Sequence, residues 1–306
     1  MQMDVKDRFR GCLLGLAAGD AVGTTVEFKP RGSFEPVTDM LGGGPFHLKP
    51  GQWTDDTSMA LCLAESLIEK QDFDARDQME RYIRWYRDGH LSSTGRCFDI
   101  GNATSDALRR FERTGEPFSG STDPRSAGNG SLMRLAPVPM FCYPDSEQAV
   151  QYAAESSRTT HGAAECVDAC KLYAYMLVKA LDGKSKTEIL SAPDNTNLLK
   201  DLSPRIQAIA AGGYKDKTDK QIRGSGYVVE SLEAALWCFH TTDTFRDAIL
   251  KATNIGDDAD TTAAICGQLA GAHYGESDIP PDWLDKLCMQ EMITEMADRL
   301  MDLSSR

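Results

Sequence analysis

Apolar residues recur at helical spacing along most of the chain. The pattern predicts helices over 9–21, 58–70, 75–87, 102–112, 132–140, 146–157, 163–181, 227–240, 245–253, 262–274 and 283–303. Asp74, Asp145 and the run Pro280-Pro281-Asp282 mark three starts, and Gly183 sits just past one stop. No segment alternates convincingly as a strand. The expected fold is therefore all-α, with about ten helices.

The polar stretch 182–220 is the natural place to divide the chain, but helical patterns over 186–192 and 204–211 inside it argue against a free linker. One domain spanning 1–306 is expected. Repeats and low-complexity segments are absent from the sequence.

Two helix starts carry more charge than a cap needs. Trp53-Thr54-Asp55-Asp56-Thr57 precedes the apolar run from Met59, and Gly256-Asp257-Asp258-Ala259-Asp260-Thr261-Thr262 precedes a run of small apolar residues suited to burial with close backbone approach. Either cluster alone reads equally well as a helix N-cap, because Thr and Asp accept hydrogen bonds from first-turn amides. One cap uses one side chain, however, and each cluster supplies at least three. Asp258 and Asp260, two residues apart, cannot share a helix face, so they converge on an ion only from a turn, which Gly256 permits. If the clusters meet in space, their carboxylates repel and are driven to protonate unless hard divalent cations sit among them. Oxygen-only donors select Mg²⁺, Mn²⁺ or Ca²⁺ over zinc.

Two glycine turns are the other chemical signal. Gly128-Asn129-Gly130-Ser131 and Gly224-Ser225-Gly226 each precede a predicted helix, at Leu132 and Tyr227. Free amides at such places can bind phosphate, although for either one alone a plain tight turn is the simpler explanation.

Composition narrows the class. Of 306 residues, 41% are hydrophobic and 26% charged, as in ordinary globular proteins, and the net charge of −13 argues against a stable nucleic-acid partner or an anionic membrane surface. No apolar run approaches the roughly 20 residues of a transmembrane helix, and the N-terminus lacks a signal-peptide core. Nine cysteines without a Cys-x-x-Cys pair indicate neither a disulfide scaffold nor a zinc knuckle. Cys166 and Cys170, one turn apart, read as small core residues rather than a metal pair. The expected location is the cytoplasm.

Six motifs, in order, resemble the ADP-ribosylglycohydrolase superfamily, and most closely its dinitrogenase reductase-activating glycohydrolase branch. They are the run from Gly11 through Asp20 to Glu27-Phe28; Gly51-Gln-Trp-Thr-Asp-Asp-Thr57; Cys97-Phe-Asp99-Ile-Gly-Asn102; Gly128-Asn-Gly-Ser-Leu-Met-Arg134; Thr160-His161; and Asp257-Asp-Ala-Asp-Thr-Thr262. The resemblance implies an orthogonal helical bundle with a dimetal cleft, holding two divalent cations (Mg²⁺ or Mn²⁺), and hydrolysis at C1″ of ADP-ribose.

By position it assigns Thr54, Asp55, Asp56, Asp258, Asp260 and Thr261 as metal ligands, and Asp99 and Glu27 as the acid/base pair. It also implies substrate contacts at Asn102, Gly128, Asn129, Gly130, Ser131, His161, Gly226 and Tyr227, with Asp20 and Asp257 behind the ligands. Read from the residues alone, Asp99 is a helix cap, Glu27 a surface carboxylate and His161 a capping histidine that opens a helix. The implied activity removes ADP-ribose from arginine side chains of modified proteins. Another ADP-ribose linkage (serine, nucleobase or O-acetyl-ADP-ribose) and a non-catalytic ADP-ribose binder are the alternatives.

Overall fold

A computed structural model describes residues 4–191 and 197–304. It contains the helices α1 (Val5–Gly23), α2 (Asp55–Lys70), α3 (Ala75–Asp88), α4 (Asn102–Thr114), α5 (Pro137–Cys142), α6 (Ser146–Thr160) and α7 (Ala164–Leu181) in the first half of the chain. α8 (Lys186–Ile189), α9 (Pro204–Ala210), α10 (Val228–His240), α11 (Phe245–Thr253), α12 (Ala259–Tyr274), α13 (Pro281–Lys286) and α14 (Gln290–Ser304) follow. Among the described residues there is no strand, only isolated bridges such as Gly128 with Tyr227. The all-α expectation holds. The predicted 186–192 helix ends at Ile189, and residue 192 lies outside the described residues.

The fold is organised by a seam between its first long helix and its twelfth. On α1, Gly11, Gly15, Gly19 and Gly23 recur every fourth residue and so share one face. A Cβ at these positions would lie 2.3 Å from the Gly271 carbonyl oxygen, 2.4 Å from that of Gly267, 2.2 Å from that of Ala263 and 2.5 Å from that of Ala259. The two backbones are thus in direct contact and antiparallel, an approach that side chains would forbid. Both helices are buried almost throughout. The C-terminal end of α1, with Asp20 and the following Glu27, is thereby fixed beside the N-terminal end of α12, with Asp258 and Asp260. Against this pair pack α2, α7, α10, α11 and α14.

Two predicted helices differ from the structure. The helix expected over 132–140 is a turn to Arg134 followed by α5 from Pro137. Pro137 and Pro139 have no N–H to give the carbonyls four residues earlier, and the Gln268 amide takes the Met133 carbonyl at 2.6 Å instead. The helix expected over 283–303 breaks into α13 and α14 at 287–289. There Met289 adopts φ 57°, Cys288 N–H donates to the Gly51 carbonyl at 2.9 Å, and Trp53 Nε1 donates to the Cys288 carbonyl at 3.1 Å. The break holds the loop that leads into Thr54 and Asp55. Cys166 and Cys170 are buried core residues, as expected.

Candidate active site

The first-turn amides of α2 are capped by a residue from another helix. Asp20, fully buried on α1, accepts from Thr54 N at 2.9 Å and Thr57 N at 3.0 Å, and from the hydroxyls of Thr54 at 2.9 Å and Thr57 at 2.6 Å. Thr54 occupies the N-cap position of α2 and Asp258 that of α12, yet neither side chain makes a capping hydrogen bond. The capping explanation of the two clusters therefore fails, and Asp55, Asp56, Asp258 and Asp260 are free for other work.

These clusters, some two hundred residues apart, do meet. Thr54 Oγ1 lies 3.3 Å from Asp56 Oδ2 and 3.4 Å from Asp260 Oδ2, and Thr261 Oγ1 lies 3.4 Å from Asp56 Oδ2. Glu27, Asp99 and Asp260 each bring a carboxylate oxygen within 4.8 Å of the other two, a grouping able to hold a metal ion. Glu27 is thus no surface carboxylate, being 2% exposed. Asp99 is no cap either: Gly101 holds the N-cap position of α4, and Asp99, at φ 55°, turns toward Glu27 and Asp260.

Burial is the first cause that raises the pKa of every carboxyl here, and neighbouring carboxylates are the second for most. Glu27 is pushed up to about 9 by burial and then by Asp99 and Asp258, and Asp99 to about 8 by burial and then by Asp20 and Asp258. Asp55, Asp56 and Asp260 are raised well above the ordinary range by burial, and then foremost by Asp99, Asp20 and Glu27 respectively. Asp258 is raised by burial, against the opposing hydrogen bond that Asn129 Nδ2 donates to it at 2.6 Å.

The donor set suits a hard cation. Asp56 Oδ1 and Asp260 Oδ1 are buried without any hydrogen-bond partner, an arrangement costly for a polar atom that nothing else satisfies. The Thr54 hydroxyl hydrogen is committed to Asp20, so its lone pairs face carboxylate oxygens that only a proton or a cation reconciles. All donors are oxygens, which suits a hard divalent cation better than zinc.

Above the carboxylates opens a cleft of roughly 2030 Å³, lined by Glu27, Asp55, Asp99, Asp258, Asp260 and Thr261. Thr54 and Asp56 lie beneath its floor. Asn102, Gly128, Asn129, Gly130, His161, Gly226 and Tyr227 all line it, and so does Asp257. Ser131 does not: it is buried, with the Ser157 hydroxyl at 2.9 Å, on the far side of the turn.

Of the two glycine turns, Gly224–Gly226 leads into α10 as expected, with Tyr227 at its N-cap, and the other differs. Gly128–Ser131 opens no helix, and two of its amides are taken, Gly128 N by the Ser126 carbonyl at 2.8 Å and Asn129 N by that of Gly226 at 3.1 Å. Its glycines instead make room for a ring: a Cβ on Gly130 would come 2.8 Å from His161 Cε1. His161 ends α6 rather than opening a helix. Tyr227 is held at the rim by Arg205, which donates to its hydroxyl, and by Glu165, which accepts from it. Sequence reasoning missed the basic residues Arg31, Arg110, Arg125, Lys220 and Arg223 that line the cleft, because nothing in their local sequence distinguishes them from solvated charges. It also missed Arg134, treated below.

An all-α bundle with an acidic centre at the base of a large cleft is the fold and site of this chain. The ADP-ribosylglycohydrolase family model matches residues 1–306, and the chain belongs to that family. It is similar to the ADP-ribosylarginine hydrolase Tri1 of Pseudomonas putida (strain GB-1), with 49% identity covering 97% of this chain and 78% of that protein. It is also similar to the ADP-ribosyl-[dinitrogen reductase] glycohydrolase of Rhodospirillum rubrum, at 33% identity over 98% and 97% of the two chains. Among solved structures it resembles an ADP-ribosylglycohydrolase-related protein complex, with a TM-score of 0.86 and 43% identity, covering 98% of this chain and 99% of that one.

Proposed function

We propose that this protein is a hydrolase that removes ADP-ribose from arginine side chains of modified proteins by cleaving the N-glycosidic bond at C1″. The observation that carries the reading is the buried group of Glu27, Asp99 and Asp260 at the floor of a cleft able to admit a nucleotide diphosphate and its ribose. The arginine linkage is supported by the 49% identity to a protein named for that activity.

In this reading Thr54, Asp55, Asp56, Asp258, Asp260 and Thr261 hold two divalent cations, Mg²⁺ or Mn²⁺. Bound there, such ions would polarise ribose hydroxyls and lower the pKa of a coordinated water. Glu27 and Asp99 move the protons. Water contributes its oxygen to C1″ and one hydrogen, by way of a carboxyl, to the departing guanidine nitrogen, giving ADP-ribose and free arginine. In the metal-free site, burial and neighbouring carboxylates raise the pKa of both carboxyls, a perturbation of the kind that marks proton-transfer groups. Asn102, Gly128, Asn129, Gly130, Gly226 and Tyr227 position the ADP-ribose.

The same reading treats the whole chain as one domain, supported by the α1–α12 seam that joins its beginning to its end. It places the protein in the cytoplasm, supported by cysteines that all stand as free thiols. No helix among the described residues is long and apolar enough to cross a membrane. A panel of defined conjugates tests the function: arginine-, serine- and nucleobase-linked ADP-ribose and O-acetyl-ADP-ribose, each with Mg²⁺, Mn²⁺ or chelator. Cation-dependent release from arginine ahead of the others is expected. Release from another linkage alone reassigns the substrate, and none at all leaves a binding protein.

A further inference from the structure

Arg134 is the most anomalous charge in the molecule. It is fully buried, beside the cleft rather than in it, and no carboxylate pairs with it among the described residues. Its guanidinium stacks on the Tyr82 ring, 4.6 Å from the centroid, and Nε has no partner. A buried cation without an anion is expensive, and an apolar side chain of similar volume is commonly as stable or more so. The contacts of Arg134 with the Ser156 carbonyl at 3.4 Å and the Thr159 hydroxyl at 3.3 Å are long and leave the charge without an anion.

Its shortest hydrogen bond goes to Thr160. Nη2 donates to Thr160 Oγ1 at 2.7 Å, and the same oxygen lies 2.8 Å from His161 Nδ1. A guanidinium only donates, so the threonine oxygen accepts from it. The threonine hydroxyl still has one hydrogen to place, and among the described residues His161 Nδ1 is the only acceptor in reach. Nδ1 must then be the unprotonated nitrogen of a neutral ring, and the ring hydrogen sits on Nε2. Burial, followed by the charge of Arg134, keeps the imidazole neutral by lowering its pKa to about 3.

The Nε2 edge faces the cleft between Gly128 and Gly130, where Cβ atoms would come within 3.4 and 3.1 Å of it. His161 is 3% exposed, and no protein acceptor pairs with Nε2 among the described residues. An N–H that opens on a cleft and has no protein acceptor is placed to donate to a ligand there.

We propose that Arg134 is a positioning residue which, through Thr160, fixes the tautomer of His161 so that Nε2–H is a permanent donor to an anionic oxygen of the ligand's diphosphate. The ligand named here rests on the proposed ADP-ribose activity, whereas the relay does not. The relay gives a neutral donor whose direction is set by two buried groups, and it places a positive charge behind the edge of the cleft where His161 stands. A histidine without it would divide between tautomers, and the fraction with Nε2 bare would face phosphate oxygens lone pair to lone pair.

The test uses the full chain labelled with ¹⁵N-histidine, with the His161 signals assigned by their loss in His161→Gln. The wild type should show a pyridine-type Nδ1 and a pyrrole-type Nε2 at neutral pH. Thr160→Val, which keeps the shape and removes the hydroxyl, should shift His161 toward the other tautomer. It should also raise the Kd for ADP-ribose about tenfold, a loss of one charge-assisted hydrogen bond on the usual scale. Most of the change in turnover should fall in KM rather than kcat. Thr160→Ser should restore both tautomer and affinity, which a purely structural role for the hydroxyl does not require. Arg134→Met should weaken ADP-ribose by a similar factor, and Thr160→Val carries the test alone if that variant does not fold. A hydrogen on Nδ1 in the wild type overturns the relay whatever the protein binds. So does a Thr160→Val variant with wild-type tautomer and affinity. Absence of ADP-ribose binding by the wild type overturns instead the proposed function and the ligand named here.

Discussion

Asp20 and Thr57 meet across the junction of α1 and α2, with the Thr57 hydroxyl donating to the Asp20 carboxylate at 2.6 Å and the Thr57 amide at 3.0 Å. This contact separates two jobs that the sequence Thr54-Asp55-Asp56-Thr57 places side by side. Asp20 supplies the cap of α2, which leaves Asp55 to line the cleft and Asp56 to face the hydroxyls of Thr54 and Thr261.

Variants at the two kinds of position should therefore behave differently. Asp20→Ala takes the acceptor from four donor groups at a helix N-terminus and should destabilise the fold by at least the ~0.5–2 kcal/mol of a lost cap. Asp55→Ala and Asp260→Ala should leave helicity by circular dichroism and thermal stability of the metal-free protein unchanged or slightly raised, since each relieves crowding of like charge. Both should lose bound metal and most turnover. Near-normal metal content in either variant would return these residues to a capping role.

Stability should depend on pH in a direction set by the carboxyl cluster. Glu27 and Asp99 have folded-state values of about 9 and about 8, above the roughly 4.3 and 3.9 of unfolded chains. Between those limits the metal-free folded state binds more protons than the unfolded state, so stability falls as pH rises. The contribution of these groups is fully present below about pH 4 and lost by about pH 9. A divalent cation replaces the protons and removes the repulsion. Melting curves from pH 5 to 9 with chelator and with Mg²⁺ or Mn²⁺ should diverge progressively toward alkaline pH. Parallel curves would mean that no cation occupies the cluster.

The α1–α12 seam makes a third expectation. At Gly19 an added Cβ would lie 2.2 Å from the Ala263 carbonyl oxygen, so Gly19→Ala forces the helices apart next to Asp20 and Asp260. Overpacking of this kind costs about 1–3 kcal/mol. Metal affinity should fall along with stability, because the seam sets the spacing of the two halves of the site. Gly32→Ala, where a Cβ meets nothing despite a φ of 78°, is the control: it should lose modest stability from backbone strain and keep its metal. A Gly19→Ala protein with full metal affinity would show that the seam does not position the carboxylates.

Much of this arrangement was legible in the sequence because the helices are long and the acidic clusters exceed what a cap uses. The excess at Asp55-Asp56 and Asp258-Asp260 pointed to a shared site, and α12 was readable as a helix with close backbone approach. The matching face on α1, glycine at every fourth position from Gly11 to Gly23, was equally visible and marks the partner helix. Other features depend on contacts that local sequence does not encode. Nothing near Leu132 announces that Gln268 takes its neighbour's carbonyl, and Ser131 turns inward because Ser157 meets it there. Arg134 read as one more residue of a motif, since a charge is known to be buried and unpaired only once its surroundings are folded around it.

Asp99 offers the sharpest separation of chemistry from structure. Its φ of 55° lies in the left-handed region, which Asn tolerates as well as Asp. Asp99→Asn therefore keeps the backbone, the side-chain volume and one accepting oxygen, and loses the capacity to exchange a proton as a carboxyl. It also removes one negative charge from beside Glu27, whose pKa burial and Asp99 together hold up, so Glu27 should titrate at lower pH in the variant. Groups that transfer protons in a transition state typically contribute about 10²–10⁴-fold. Asp99→Asn should fold, retain metal and bind ADP-ribose with little change, yet hydrolyse an arginine conjugate at least about a hundredfold more slowly in single-turnover experiments. If turnover is unchanged while the acid limb of the pH profile moves down, Glu27 alone carries the proton and Asp99 serves to tune it.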